Sequence, residues 1–411
     1  MTIVLATLLS LLPAPQDVLI VIGDDIAVDD LAAVDTPNLD RIAARGVTFT
    51  NAFGCPVCSP SRRSLVFGEY YFHDSGLGCT QALGIEPPLE AVSLAELAPI
   101  PSAIVGKWHL GANPAGGPWE LAPQAHGFLS WEAGHPMNVA YCTPPPFGGN
   151  YFSWLRVEAG RSSFSTVYEP FAVRSEAASW WRSTRGPKLM VVAPQLAYGP
   201  FHRPPPSLAP PDLPEQLTER QEYEAMIYAL DRVVGELEAL AGPDDTFLFV
   251  CDNGTPSEVS PDPARSKETT FERGIHVPMI ARGPLFPRGV TDDRLAHVVD
   301  VYATVGELLA VPWSGDGLPL FSEREHDVVF SGNIVDETSD VCARSRDLKL
   351  RISGTHEELY DLVQDPGEHT DVHGQPVYAA RERELRRRLD RVLARESGGR
   401  VPPASRRFSH F

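Results

Sequence analysis

The strongest pattern in the chain is an unbroken apolar run, Val18-Leu-Ile-Val-Ile-Gly23, with Asp17 before it and Asp24-Asp25 after it. A run of that length without alternation predicts a strand covered on both faces, its polar residues collected at the carboxyl end. Similar runs at residues 102–105, 189–193, 246–251 and 277–281 predict further buried strands. Between them the period changes. Leu39, Ile42 and Ala43 share a helical face behind Thr36 as N-cap and Pro37 at the first helical position, with Gly46 as terminator. Helical periodicity returns over 218–240 and 294–309. Strands alternating with helices predict an α/β fold with a large, mostly parallel sheet flanked by helices. Beyond residue 318 the pattern shifts to short strands at 327–331, 348–353 and 358–362 and one late helix at 378–396. In that helix Leu385, Leu389, Val392 and Leu393 fall on one side and the arginines on the other. We therefore expect a large domain over 17–318, a small C-terminal α+β subdomain over 319–396 and a disordered tail over 397–411. The proline-rich stretch 200–214 predicts a long loop, since it suits neither a helix nor a central strand.

Composition narrows the function classes. The 411 residues carry 35 Lys+Arg against 54 Asp+Glu, a net charge of −19, which argues against nucleic acid as a partner. At 43% hydrophobic and 22% charged, the chain can bury a large core. The basic residues include only four lysines, Lys107, Lys188, Lys267 and Lys349, so each merits inspection as a place where an ammonium differs from a guanidinium, with chance retention as the alternative. Residues 1–16 hold a short apolar run followed by Leu12-Pro-Ala-Pro-Gln16 and read as a signal peptide, although no basic residue precedes Arg41. Export to a periplasm or the exterior is the expectation, and no apolar run reaches the length of a transmembrane segment. The six cysteines do not form the dense set of a disulfide scaffold.

The chemistry concentrates at strand ends. Asp24-Asp25 and Asp252-Asn253-Gly254 would converge at the carboxyl edge of an open α/β sheet, where ligands bind. Three carboxylates and an amide oxygen form a hard donor set suited to Ca²⁺ or Mg²⁺, although such residues also serve as plain turn formers. Asn253-Gly254-Thr255 matches a glycosylation sequon as well, but a metal site would bury it. Cys55-Pro-Val-Cys58 reads as a redox pair or half a zinc site, with no second such pair to complete the zinc set.

Cys58-Ser59-Pro60-Ser61-Arg62, soon after an Asp-Asp strand end, resembles the signature of the formylglycine-dependent sulfatases of the alkaline phosphatase superfamily. Further blocks resemble that family in order: Gly106-Lys-Trp-His-Leu-Gly111, Ala125-His-Gly-Phe128, Gly199-Pro-Phe-His-Arg-Pro204 and Phe247-Leu-Phe-Val-Cys-Asp-Asn-Gly254. Residues 266–278, with Lys267, and 358–368 continue the series, so the likeness spans about 17–370. The resemblance implies an alkaline-phosphatase-like fold and hydrolysis of sulfate monoesters, aryl or carbohydrate. It implies that a formylglycine-generating enzyme converts Cys58 to formylglycine, whose hydrate is the nucleophile and whose spare hydroxyl later expels sulfate. It further implies a divalent cation, Ca²⁺ or else Mg²⁺, held by Asp24, Asp25, residue 58, Asp252 and Asn253. Arg62 and Lys107 would stabilise the hydrate, His109 would take its proton, and His202 and Lys267 would face the ester oxygen. A phosphate or phosphonate ester hydrolase of the same superfamily, or a binding protein that kept the fold, are the competing readings.

The chain departs from the family pattern in several places. Leu65-Val-Phe-Gly68 and Glu69-Tyr-Tyr71 replace the usual run after the arginine, and Cys55 could pair with Cys58. Arg273 in Glu272-Arg-Gly274 would bring a guanidinium near Lys267 to meet an acidic substrate, and the loop before His202 is longer by a few residues. Residues 141–151 and 200–214 are the expected substrate rim.

Overall fold

A computed structural model describes residues 16–73, 86–111, 113, 115–141, 149–334 and 339–395. The expected signal peptide, except Gln16, the tail over 397–411 and most of the rim at 141–151 lie outside them. The large sheet is built from β1 (Val18–Gly23), β2 (Val47–Phe53), β3 (Ser102–Lys107), β4 (Ser130–His135), β5 (Trp154–Glu158), β6 (Arg161–Ser165), β7 (Leu189–Ala193), β8 (Thr246–Cys251), β9 (Met279–Arg282) and β10 (Val290–His297). Its order is β10-β2-β9-β8-β1-β7-β3-β4-β5-β6. The central strands β8, β1, β7, β3 and β4 run parallel, whereas β9 and the β5–β6 hairpin run antiparallel to their neighbours. β1 is fully buried along its length because helices cover both faces of the sheet, as its unbroken apolar run requires.

The helix expected over 294–309 starts later than its periodicity suggests. Residues Val290–His297 form β10, which pairs with β2 and buries Leu295 and Ala296. The helix runs over Asp300–Leu308, and the Asp300 carboxylate accepts from the His297 amide at 2.8 Å, fixing the strand-to-helix turn. Strand pairing here overrides a helical period. Residues 200–214 carry neither helix nor strand.

The second sheet is antiparallel and four-stranded, in the order β11 (Val329–Asn333), β12 (Asp340–Arg344), β13 (Leu348–Ser353) and β14 (His356–Asp361). The Ala379–Leu393 helix buries Leu385 and Leu389 against it, while Arg386, Arg387 and Arg388 pair with Asp390, Glu384 and other carboxylates on the outer side. Lys349 ties this sheet to the segment after β8 that ends in the short helix Glu272–Ile275. Its buried ammonium meets Glu272 at 2.9 Å, Glu368 at 2.6 Å and the Thr270 carbonyl at 2.8 Å. Burial alone would raise Glu272, but Lys349 and Arg344 outweigh it and hold that carboxyl well below its usual range. Arg273 does not face Lys267. Its guanidinium turns to Asp29 at 2.9 Å and Asp30 at 3.6 Å, two carboxylates far earlier in the chain, and this corrects the expectation of a substrate-facing arginine.

Among the described residues no helix is long and apolar enough to cross a membrane.

Candidate active site at the carboxyl edge of the sheet

The parallel register carries β1 and β8 to the same level, Gly23 opposite Cys251, so Asp24-Asp25 and Asp252-Asn253 emerge side by side. β3 joins the set through β7 and delivers Lys107 and His109 at its end. Gly106, at φ +96, makes that turn feasible, because a Cβ there would lie 2.3 Å from the Ala193 carbonyl. Asp25 and His109 themselves sit in the left-handed region, at φ +63 and +57, a strain that functional sites tolerate.

Cys58 opens the Cys58–Phe67 helix, and Arg62 follows one turn later on the same face. Gly54 lets the preceding segment approach closely, since a Cβ there would meet the Asp252 carbonyl at 2.2 Å. The Cys58 Sγ lies 3.5 Å from Asp24 Oδ1, 3.8 Å from Asp25 Oδ1 and 3.8 Å from Lys267 Nζ. Arg62 is buried and donates to Asp252 Oδ2 at 3.0 Å, to Asp24 Oδ2 at 3.4 Å and to the Lys107 carbonyl at 2.9 Å. Lys107 Nζ meets Asp24 Oδ2 at 2.5 Å, and Lys267 Nζ meets both Asp25 oxygens at 2.6 Å. Both Cys55 and Cys58 are buried free thiols, so no bridge joins them.

The charges are unevenly held. Burial would raise Asp24, but Lys107, Arg62 and Lys267 outweigh it and keep that carboxyl well below its usual range. Asp25 is pushed up to about 7, by burial and by the neighbouring Asp24 and Asp252, against the pull of Lys267. Burial and Asp24 raise Asp252 as well, and they lift the Cys58 thiol far above its usual value. His109 is driven well below the usual histidine value by burial and by Lys107 and Arg62, so its ring is neutral, and its buried Nδ1 has no hydrogen-bond partner among the described residues.

The donor set fits a hard divalent cation. Asp24, Asp25, Cys58 and Asp252 bring one ligand atom each to within 4.8 Å of one another. The Asn253 amide nitrogen donates to Asp25 Oδ1 at 2.7 Å, yet its Oδ1, equally buried, has no hydrogen-bond partner among the described residues. An orphaned buried carbonyl oxygen beside three carboxylates is what an oxygen-ligated Ca²⁺ or Mg²⁺ would satisfy. Burial also removes Asn253 as a glycosylation acceptor.

His202 stands apart from this cluster. Its Nε2 lies 3.0 Å from the Tyr168 hydroxyl and its Nδ1 3.0 Å from the Pro200 carbonyl, and its ring packs on Tyr151 and Phe152. Among the described residues no hydrogen bond joins it to the carboxylates. Sequence reasoning missed Tyr198, whose ring lies 4.4 Å from Lys267 Nζ and 5.3 Å from Lys107 Nζ. Tyr151 positions that segment by donating to the Gln195 and Tyr198 carbonyls at 2.5 Å.

A family model described as Sulfatase matches residues 16–311. The chain is 30% identical over 438 residues to arylsulfatase A of Bos taurus, covering 87% of this chain and 83% of that protein. It is 28% identical over 340 residues to N-acetylgalactosamine-6-sulfatase of Canis lupus familiaris, covering 71% of this chain and only 62% of that relative's length. The solved structure of Ps i-CgsB in complex with k-i-k-neocarrahexaose superposes with a TM-score of 0.77 at 21% identity, covering 96% of each chain, which establishes a shared fold.

Proposed function

Because the chain belongs to the sulfatase family, we propose that it hydrolyses sulfate monoesters, with residue 58 as nucleophile once a formylglycine-generating enzyme has converted Cys58. The observation that carries this reading is the position of Cys58 Sγ, within 3.8 Å of Asp24, Asp25 and Lys267 at the head of a buried C-x-P-S-R segment. The geometry supports Asp24, Asp25, Asp252, Asn253 and residue 58 as the holders of a Ca²⁺ ion, with Mg²⁺ as the second choice. When bound, such an ion supplies a Lewis acid and a template for sulfate oxygens, and formylglycine supplies an oxygen nucleophile.

The chain's own residues do the remaining work. Arg62 and Lys107 hold Asp24 ionised and place two positive charges beside residue 58, where negative charge develops. His109, neutral and with Nδ1 free, is suited to accept a proton from the nucleophilic group. Lys267, 3.8 Å from the residue 58 sulfur, is placed to donate a hydrogen bond to the sulfate or the departing oxygen. His202, with both ring nitrogens engaged, contributes by shaping the leaving-group side of the cleft. Export through residues 1–16 completes the proposal.

Mass spectrometry of the tryptic peptide spanning 46–62, from protein made with a formylglycine-generating enzyme, tests the premise. An aldehyde at residue 58 and turnover of an aryl sulfate above the matched aryl phosphate support the reading. A thiol that resists conversion, or a preference for phosphate, overturns it.

A further inference from the structure

A cavity of about 540 Å³ opens directly onto the cluster, with Asp25 and Lys267 among its walls. That volume suits a ligand of one or two rings. Its apolar surface comes from Tyr198, Phe201, Pro200 and Pro256, while its remaining charge comes from Glu219, Glu258 and Glu268. Among the described residues Lys267 is the only basic residue lining it, and its ammonium meets Asp25 at 2.6 Å, on the side of the cluster.

The three glutamates are exposed, and among the described residues none has a cationic partner. The neighbouring arginines are spent elsewhere. Arg220 binds Asp30 and Glu224 at 2.8 Å each, Arg265 reaches toward Asp262 at 3.9 Å, Arg273 binds Asp29 at 2.9 Å, and Arg203 donates to the Pro214 and Glu215 carbonyls, its charge acting on Glu222. Among the described residues Glu258 accepts only from its neighbour Ser257, at 3.2 Å. The cationic groups therefore gather at the sulfate end of the site and the uncompensated carboxylates around the leaving-group end. A ligand lying across both ends meets opposite potentials along its length.

Resting on the sulfatase reading, we infer that the leaving group is a compact alcohol or phenol carrying a protonated amine, and that esters bearing a second anionic group are rejected. The sulfate seats on the lysine and arginine side, the ring lies against Tyr198 and Phe201, and the ammonium faces Glu219, Glu258 and Glu268. A densely sulfated chain would press its extra anions onto these carboxylates.

The test uses three aryl sulfates that differ only in a para substituent: aminomethyl, hydroxymethyl and carboxymethyl. Each exposed charge pair is worth roughly 1.4-fold to 5-fold in affinity, so three together give about 3-fold to about 100-fold between the cationic and neutral esters. With formylglycine-bearing enzyme, kcat/KM falls in the order aminomethyl, hydroxymethyl, carboxymethyl, and the spread narrows from low to high salt. The triple variant Glu219→Gln, Glu258→Gln, Glu268→Gln compresses the ratio of aminomethyl to carboxymethyl ester toward one. Calorimetry on unconverted protein, which holds these esters without turnover, gives the same order in Kd. Turnover of all three with a flat or reversed order overturns the inference and leaves the sulfatase reading intact. Ordered binding without turnover by the converted enzyme supports the inference and overturns the sulfatase reading.

Discussion

Arg62→Met isolates the electrostatic logic of the cluster. The guanidinium is only 2% exposed and bridges Asp252, Asp24 and the Lys107 carbonyl, so methionine keeps much of the volume and none of the donors. Breaking a buried ion pair by removing one partner costs about 3–5 kcal/mol, because the stranded charge stays desolvated. The loss falls on Asp252. Asp24 keeps Lys107 at 2.5 Å, whereas Asp252 retains only the backbone amides of Asp25 at 3.3 Å and Asn253 at 2.9 Å. We expect about 3–4 kcal/mol in protein freed of divalent cations by chelation. Unfolding entropy of about 2.1 cal/mol/K per residue over 411 residues gives about 0.86 kcal/mol/K, so Tm falls by about 4 °C in scanning calorimetry. Arg62→Lys restores one charge but reaches fewer of the three acceptors, and loses about half as much. The deficit also has a pH signature. Asp252 already titrates above its ordinary value, and losing Arg62 raises it further. A group raised in the folded state contributes stability below its unfolded pKa and loses it as pH rises through the folded one, so the deficit deepens with rising pH. An Arg62→Met protein that melts within about 1 °C of its parent at neutral pH would refute this account of the cluster.

Asn253→Ala removes the orphaned oxygen, and Ca²⁺ affinity measured by titration calorimetry falls at least about tenfold, since even groups one shell further out cost that much; unchanged affinity rules Asn253 out as a ligand. His297 is pushed down to about 3 by burial, so it is neutral when folded but protonates near its ordinary value when unfolded. It therefore lowers stability as pH falls from about 6.5 toward 3, by about 1.4 kcal/mol per unit, and urea unfolding of His297→Asn at pH 7 and pH 5 loses that share of the slope. Lys349→Met strands Glu368, leaves Glu272 with Arg344 at 3.4 Å, and costs about 3–5 kcal/mol. Adding Glu368→Gln recovers part of that cost, and a strictly additive double variant in urea melts contradicts the shared-charge picture.

The sequence makes the metal-ligand candidates legible because each stands where a buried apolar run stops, and parallel register then forces Asp24-Asp25 and Asp252-Asn253 to one edge. What it conceals depends on partners from distant segments. The direction of Arg273 is decided by Asp29, the strand at 290–297 by pairing with β2, and the neutral state of His109 by two cations that only folding brings near. Tyr198 stays hidden for the same reason, since nothing in its local pattern predicts a ring over two lysines.

Lysine scarcity sharpens this distinction. All four lysines prove to be carboxylate partners in largely buried places: Lys107 with Asp24, Lys188 with Asp17 at 2.9 Å, Lys267 with Asp25, and Lys349 with Glu272 and Glu368. A compact ammonium with three rotatable donors fits such confined sites, where a planar guanidinium needs more room. Rarity therefore identifies where an ammonium is required and leaves its task open. The task follows from what surrounds each one. Lys349 is buried against Glu272, Glu368 and the Thr270 carbonyl, and Lys188 closes the start of β1, so their charges are spent on holding the fold. Lys107 and Lys267 sit at strand ends against carboxylates that also face Cys58, and Lys267 borders an open cavity, so their charges are available to an incoming anion.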